Sequence, residues 1–393
     1  MDAIREEPRG FGVRFGPHLA AFSVGYVVFS YASVPGVVMA EFGVGFTAVG
    51  LLMSAALASF VAVQLIGGRL VDDRPTLPVL LGVVVVNAAL AVALDLSTTF
   101  SGLIVLRGLW GFAGGLAVTV CATQISRVYT GSTATWHQSV NGGMFTFGGA
   151  SSFVVTPAVV GTTGWFGVHA VGALVALPAI VALWVDRRAA GETAPTGQGV
   201  RSPAGPETPR FATLRNRLVL LAAVCNVATL GAYITLSTFV TSYFDDVGVI
   251  GPLNAIALLV ASLGRVGGGV AILRPGLDDG HVIAAASGAG AVGLFLIVLV
   301  GDGSLLVVFL PLLALAAVSL PFGAIFKITA GASRRDGTAV AIVVAAGNGA
   351  AIVLPAVTGR LRDLTGGYDG AFVLLALVNA VAACAGIAIA RRT

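Results

Sequence analysis

The sequence predicts an all-α membrane protein with twelve transmembrane helices in two six-helix halves. The composition, a series of apolar runs of span length and one long polar gap near the middle support this prediction. Of the 393 residues, 57% are hydrophobic and only 10% are charged, whereas a soluble domain carries about a quarter charged residues. So few charges cannot cover a soluble surface, and lipid must therefore surround most of the chain.

Each span needs roughly 20 apolar residues to cross the hydrocarbon core of a bilayer. Apolar runs that end at charged, Gly or Pro clusters predict twelve such spans. Their approximate bounds are 18–40, 47–68, 76–94, 102–126, 138–161, 165–185, 217–242, 252–273, 281–300, 304–330, 338–359 and 370–390.

The widest gap between apolar runs is rich in Gly, Pro, Thr, Glu and Arg and has no hydrophobic periodicity. Such a composition cannot bury a core and is typical of a flexible linker. We therefore expect a first six-helix half over 1–185, a linker over 186–216 and a second half over 217–393. Part of segment 67–75 recurs 200 residues later at 267–275, and repeated halves are a common transporter construction.

The arginines predict the orientation of the chain. With twelve spans, nearly all arginines outside the spans fall on one side of the membrane, and the other side carries only Arg360 and Arg362. Positively charged loops face the cytoplasm. We therefore expect a multi-pass protein of the cytoplasmic membrane, in contact with lipid, with both termini and the linker in the cytoplasm. The basic clusters form no stripe, so no nucleic-acid partner is expected.

The titratable residues suggest no catalytic or metal site. No His, Asp or Glu cluster has the spacing of metal ligands, and no Ser, His and Asp set falls within the spans. Cys121, Cys225 and Cys384 each lie inside an apolar run, where a cysteine acts as a small apolar packing residue. We expect no metal, no cofactor and no enzymatic activity, and a membrane-embedded enzyme or sensor is the alternative class.

Two short motifs resemble those of the major facilitator superfamily, and the resemblance extends over essentially the whole chain. The segment GGRLVDDRP is similar to the family's loop motif through Gly68, Leu70, Asp72 and Arg74. It departs from that motif by an additional Asp73 and by lacking the Gly and basic run that follow. The resemblance implies a gating role for Gly68, Asp72 and Arg74. The alternative is that the charges of Asp72 and Arg74 serve only to set the membrane topology and the solubility of the loop.

The second motif, RGLWGFAGG, is similar to the Arg-x-x-x-Gly motif of the family's fourth span and begins at Arg107. A charge inside an apolar run is costly and usually functional. Snorkelling of the side chain to the membrane interface is the alternative. The resemblance implies the major facilitator fold and transport by alternating access, in which two six-helix halves rock about a central cavity.

Three cations fall within predicted spans, namely Arg107, Arg265 and Lys327, the single lysine of the chain. Every carboxylate maps to a loop or a span end, Glu41 being the nearest to an exception. A positive interior favours a small anionic substrate. Since no carboxylate lies in mid-span, and since His169 is interpreted as a packing or interfacial residue, we expect exchange or uniport rather than proton symport.

A narrower resemblance is to the nitrate/nitrite porters. GRVGGGVAILRPG around Arg265 and FGAIFKIT around Lys327 are similar to their eighth-span and tenth-span segments. NGGMFTFGGA and AAGNGAA, with Asn141 and Asn348, resemble their paired Gly-rich signatures. An Arg fork suits planar nitrate. The alternative is that these glycines serve helix packing alone.

The chain also departs from those porters. The second-span arginine of the pair is replaced by Leu65, with Gln64 beside it, and Asn226 stands where a seventh-span Tyr is expected, Tyr233 lying two turns further on. Small organic anions such as monocarboxylates are therefore equally compatible with the site. Our candidate substrate-binding residues are Arg265, Lys327, Asn141, Asn348, Asn226, Tyr233, Tyr26 and Tyr31.

A proton-coupled antiporter that exports a drug or small metabolite is the alternative function on the same fold. Such exporters have a Gly-Pro-x-x-Gly pattern in span five, whereas this chain has Thr156 before Pro157. The lack of a mid-span carboxylate also argues against this function. We expect the transporter to act as a monomer.

Overall fold

The computed structural model describes residues 10–71, 74–129, 131–187, 215–249, 253–272, 278–300, 304–332 and 336–392. Within these ranges the chain is helical and contains no β-strand. The helices are α1 (Phe11–Ser30), α2 (Pro35–Phe42), α3 (Phe46–Val71), α4 (Thr76–Asp95), α5 (Phe100–Val128), α6 (Gly131–Thr163), α7 (Val171–Asp186), α8 (Arg217–Asp246), α9 (Leu253–Ile272), α10 (Asp279–Leu299), α11 (Leu306–Ser319), α12 (Phe322–Gly331), α13 (Asp336–Thr365) and α14 (Asp369–Ala390).

These helices confirm the prediction of an all-α membrane protein. Among the described residues, nine helical segments are long and apolar enough to cross a membrane, and the bent pair α1 and α2 makes a tenth. The shorter apolar helices Val171–Asp186 and Ala255–Arg265 lie where spans six and eight are predicted. Each of the twelve predicted spans thus corresponds to one helix or to one broken helix.

The first span is broken near its middle. Helix α1 ends at Ser30, a 3-10 turn covers Tyr31–Ser33, and α2 begins at Pro35 with a bend of 68° between the two helices. A proline disfavours helical backbone at the preceding residue and suits the first turn of a new helix. Val34, which precedes Pro35, is accordingly non-helical, with a φ of −137° and a ψ of 52°. The break leaves carbonyl groups at the end of α1 without partners from its own helix.

The chain divides into two compact units. The first comprises Met1–Tyr31 and Ala58–Gly205, and the second comprises Ala32–Leu57 and Pro206–Thr393. The break after α1 coincides with the point at which the chain passes from the first unit to the second. Most of the predicted linker, residues 188–214, lies outside the described residues.

Close backbone contacts at glycines hold each unit together. In the first unit, a Cβ on Gly25 would lie 1.9 Å from the Phe145 carbonyl oxygen, so α1 and α6 can approach only because no side chain is present. In the second unit, a Cβ on Gly50 of α3 would lie 2.2 Å from the carbonyl oxygen of Pro355 on α13. Small residues commonly permit such approaches between membrane helices.

Candidate functional site

Arg265 lies between two aromatic rings in the second unit. Its guanidinium carbon is 4.1 Å from the centre of the Tyr233 ring on α8 and 4.8 Å from the centre of the Phe322 ring on α12. Both distances fit cation–π contacts, which stabilise a guanidinium in a dry environment. Among the described residues no carboxylate forms an ion pair with Arg265, and its buried Nε has no hydrogen-bond partner.

Tyr233 belongs to a buried polar stripe on α8. Asn226, Thr229, Tyr233, Ser237 and Thr241 follow one another at spacings of three or four residues, and all five are at most 5% exposed. Residues at these spacings lie on one face of a helix. The side-chain oxygens of Asn226, Thr229 and Thr241 are buried without a hydrogen-bond partner in the described part of the chain, and buried polar groups of this kind ordinarily bind something.

Asn226 and the Gly-rich segment of α13 are packed together. The Asn226 amide donates to the Val343 carbonyl at 2.8 Å, and a Cβ on Gly347 would lie 2.3 Å from its nitrogen. Gly347 therefore allows α13 to approach the polar stripe closely. Asn348, next to it, is half-buried. The structure thus places Asn226 and Tyr233 on one face of α8, and of the two it is Tyr233 that contacts Arg265.

Lys327 has a carboxylate partner. Its Nζ lies 3.0 Å from Oδ2 of Asp279, at the start of α10, and the Lys327 side chain is 56% exposed. Its charge is therefore offset by a neighbour, whereas no carboxylate in the described part of the chain pairs with Arg265. Lys327 lies on the exposed side of α12. Phe322, five residues before Lys327 on the same helix, is the α12 residue that contacts Arg265 of α9.

Arg107 is fully buried in the first unit and binds the broken end of α1. Its two terminal nitrogens donate to the carbonyls of Val27 and Val28 at 3.0 and 2.5 Å. The guanidinium carbon also lies 4.7 Å from the centre of the Tyr31 ring and 5.0 Å from that of Trp110. Arg107 thus does not snorkel to an interface. It satisfies carbonyls that the break in span one leaves free.

A buried carboxylate–imidazole pair lies beside this arginine cluster. The Asp95 carboxylate, at the end of α4, is 2.7 Å from Nδ1 of His169, and both side chains are 0% exposed. The backbone N–H groups of His169 and Ala170 also donate to Oδ2 of Asp95, at 2.8 and 2.7 Å. The ring of His169 stacks on the Tyr31 ring at 6.2 Å between centroids. It also makes an edge-to-face contact with the Trp165 ring at 5.8 Å between centroids.

The remaining candidates of the first unit make separate contacts. The hydroxyl of Tyr26 hydrogen-bonds to that of Thr156 at 2.9 Å, and both groups are buried. Asn141 is buried on α6 with no partner for its Oδ1 in the described part of the chain. Tyr31, in contrast, bridges Arg107 and His169.

A histidine pair links α1 and α6. Nε2 of His18 lies 3.1 Å from Nδ1 of His137, and the ring of His137 stacks on Tyr129 at 3.8 Å between centroids. Burial, together with the nearby Arg14 cation, lowers the pKa of His137. A lowered pKa favours two neutral rings that share one hydrogen bond.

The gating-motif residues are only partly described. Gly68 lies on α3, Asp72 lies outside the described residues, and Arg74 is exposed, its carbonyl accepting a hydrogen bond from Arg127 at 2.8 Å. The gating role of this motif therefore stays a prediction. No group of three His, Cys, Asp or Glu side chains among the described residues could hold a metal ion.

Sequence reasoning missed another arginine cluster in the second unit. Arg362 pairs with Asp246 at 2.7 Å, and its guanidinium carbon lies 4.8 Å from the centre of the Phe46 ring and 5.2 Å from that of Tyr368. Nearby, an apolar pocket has four aromatic side chains among its twelve lining residues. Its aromatic residues are Phe239, Tyr243, Tyr368 and Phe372.

Sequence reasoning also missed Phe322, the α8 hydroxyls and the role of Asp95. The spacing of Asn226, Thr229 and Tyr233 was a signal for the stripe, since it repeats with the helical period. Asp95 and His169 are 74 residues apart, and no local pattern connects them.

Comparisons with known proteins agree with this architecture. A family model described as Major Facilitator Superfamily matches residues 18–335. The crystal structure of a bacterial homolog to the human lysosomal transporter Spinster, in an inward-facing and occupied conformation, is similar with a TM-score of 0.69 and 14% sequence identity. That match covers 97% of this chain and 96% of the other, and at such identity it shows the fold alone. No curated protein sequence matches the chain. The family match over most of the chain, together with its membrane-spanning helices, shows that this protein belongs to the Major Facilitator Superfamily and is a transporter, not an enzyme.

Proposed function

We propose that this transporter moves a small anion, with nitrate or nitrite as the leading candidate, and that Arg265 binds it. The observation that carries the proposal is the position of Arg265 between Tyr233 and Phe322 without a carboxylate partner among the described residues. A cation in a membrane helix is costly unless a negative charge offsets it. A bound anion would supply that charge.

The other two cations that the sequence places within spans already have partners in the structure. Lys327 pairs with Asp279, and Arg107 donates to two backbone carbonyls. Arg265 is therefore the best candidate of the three to bind a substrate. One positive charge suits a monovalent anion better than a divalent one.

The two rings also favour a planar ligand. Rings near a guanidinium restrict its orientation, and its N–H groups point outward in the guanidinium plane. Two of these groups can donate in parallel to two oxygens of one ligand. Nitrate, nitrite and carboxylates all present such a pair of oxygens. The hydroxyls of Thr229 and Thr241 on the α8 stripe are additional neutral donors, which can bind an anion without adding charge.

Alternating access, together with the finer properties that follow, is part of this proposal. We infer a monomer in the cytoplasmic membrane, surrounded by lipid, with both termini cytoplasmic, because of the arginine distribution. Exchange or uniport was expected because no carboxylate lies in mid-span. Asp95 is fully buried, but it lies at the end of α4 and not in mid-span.

A proton-coupled antiporter for a drug or small metabolite is the second candidate. The apolar pocket whose lining includes Phe239, Tyr243, Tyr368 and Phe372 favours it. Aromatic walls bind apolar and cationic ligands. In that case binding would depend on these rings and not on Arg265.

A thermal-shift screen of the purified protein tests the proposal. The ligands are nitrate, nitrite, chloride, formate and larger organic anions as sodium salts at equal ionic strength. A ligand that binds the folded state raises the melting temperature by mass action. We expect nitrate or nitrite to stabilise the wild type, Arg265→Ala to abolish the effect, and Lys327→Ala to keep it. Absence of a shift with every anion would overturn the proposal, and a shift with lipophilic cations would support the antiporter.

A further inference from the structure

We propose that His18 and His137 form a binding site for a divalent transition-metal ion of the Zn²⁺, Cu²⁺ and Ni²⁺ class, which joins α1 to α6 in the first unit. The proposal goes beyond the transport proposed above and is independent of the anion site at Arg265. Its basis is a pair of imidazole nitrogens that face each other from the two helices, 119 positions apart in sequence. No metal was expected from the sequence, because ligand spacing along a chain reveals only sites built from one segment.

The distance between the two nitrogens suits two ligands of one metal ion. Nε2 of His18 lies 3.1 Å from Nδ1 of His137. Bonds of about 2.0–2.1 Å at a tetrahedral angle place two nitrogen ligands about 3.3 Å apart. The pair therefore needs to open by only about 0.2 Å to hold an ion between the two nitrogens.

The orientation of the rings also permits a shared ion. The planes of the two imidazoles differ by 16°, and the ring of His137 stacks on Tyr129 with an angle of 11° between the planes. A modest turn of the two imidazoles within their planes aims both lone pairs at one ion and keeps the stacking on Tyr129. His137 is half-buried, so the ion would reach solvent, and water would complete its coordination.

One arrangement of the ring hydrogens presents both lone pairs to a metal, with the hydrogen of His18 on Nδ1 and that of His137 on Nε2. Nδ1 of His18 and Oδ1 of Asn141 are both buried without a hydrogen-bond partner among the described residues. Asn141 follows His137 by one turn of α6, and its side chain lies beside the His18 ring. Its oxygen is therefore placed to accept from Nδ1 of His18. Metal-binding histidines ordinarily donate their other N–H group in this way.

Helix packing alone does not account for the two histidines. A Cβ on Gly25 would lie 1.9 Å from the Phe145 carbonyl oxygen, and one on Gly148 would lie 2.0 Å from that of Phe22. These glycine contacts already hold α1 against α6. Imidazole is the commonest protein ligand for metals, and it suits zinc, copper and nickel. Mg²⁺ and Ca²⁺ prefer oxygen ligands, so we expect neither to compete.

Arg14 should limit the affinity of the site. It lies one turn before His18 on α1, and its cation acts on His137. A like charge opposes a bound divalent cation. We therefore expect Arg14→Gln to tighten Zn²⁺ binding severalfold, and an unchanged or weaker affinity would count against the site.

Calorimetric titration of Zn²⁺ into purified, tag-free, full-length protein tests the proposal. We expect the wild type to bind Zn²⁺, His18→Gln and His137→Gln each to weaken that binding at least tenfold, and excess Mg²⁺ to leave it unchanged. His281→Gln, at an exposed histidine beside Asp278, is the matched control and should keep the wild-type affinity. No binding by the wild type, equal binding by the first two variants, or a loss confined to His281→Gln would overturn the site.

Electron paramagnetic resonance of bound Cu²⁺ identifies the ligands even where a histidine variant folds poorly. We expect hyperfine coupling to two imidazole nitrogens in the wild type. Asn141→Leu retains both imidazoles, so it should keep this coupling while Cu²⁺ binds about tenfold more weakly. Coupling to a single nitrogen, or a spectrum of sulfur ligation, would refute the proposal. Arg265→Ala should keep the metal site and lose only the anion response, so each proposal can fail without the other.

Discussion

The carboxylate of Asp363 accepts hydrogen bonds from both the backbone N–H and the hydroxyl of Thr47, at 2.8 and 2.5 Å. It also accepts from the N–H of Phe46 at 2.8 Å. Asp363 near the end of α13 therefore caps the start of α3, a helix more than 300 residues away in sequence. A carboxylate at a helix N-terminus binds free N–H groups and interacts favourably with the helix dipole.

We expect Asp363→Asn to lower the free energy of unfolding by about 1 kcal/mol, since an amide cannot supply the charge or accept with both oxygens. Thermal unfolding of detergent-purified protein measures the change. Glu41→Gln is the matched control because its side chain is exposed near the same helix. Equal melting temperatures for the two variants would show that the cap contributes nothing.

The ring of Tyr233, rather than its hydroxyl, should support Arg265. A cation–π contact in a desolvated position contributes up to about 2 kcal/mol, or roughly thirtyfold in affinity. We therefore expect Tyr233→Leu to weaken nitrate or nitrite binding by about tenfold and Tyr233→Phe to leave it nearly unchanged. Titration of the purified variants by calorimetry measures both affinities. The opposite order would assign the effect to the hydroxyl.

Lys327 should be dispensable for anion binding, because Asp279 already offsets its charge. An exposed ion pair contributes about 0–1 kcal/mol to stability. Lys327→Met should therefore keep the nitrate affinity within about twofold and lower stability only slightly. A large loss of affinity in this variant, with none in Asp279→Asn, would instead place Lys327 in the binding site.

Arg107→Lys should destabilise the first unit even though it keeps a positive charge. Lysine is a point charge without a planar fork, and it cannot reproduce both hydrogen bonds to Val27 and Val28. Leaving a buried carbonyl without its donor costs about 1–3 kcal/mol. Thermal unfolding should show a clear decrease, whereas Arg391→Lys, at an exposed site, should show none. Comparable melting temperatures would contradict the proposed support of the broken helix.

The fold could be predicted from sequence because lipid imposes a simple rule on the chain. A spanning segment must satisfy its backbone hydrogen bonds internally and expose apolar side chains, so span number follows from hydropathy. Arg265 and Tyr233 were recognised for a related reason, since a cation in an apolar run stands out without knowledge of its neighbours.

Partners across helices could not be predicted in the same way. Lys327 and Arg265 look alike in sequence, yet only Lys327 has Asp279 beside it. Asp95 was interpreted as a residue of a span end, and nothing local indicates that the chain buries it against His169. Such pairs depend on which faces of two helices meet, and a hydropathy pattern carries no information about that.

The single lysine also makes the protein convenient to label. Lys327 is the only side-chain amine in 393 residues, and its side chain is more than half exposed. An amine-reactive dye applied to folded protein would attach at this residue and at the chain's amino terminus, without any engineered cysteine. Because the dye would sit on α12, the helix that carries Phe322, it would report movements of that helix in single-molecule recordings.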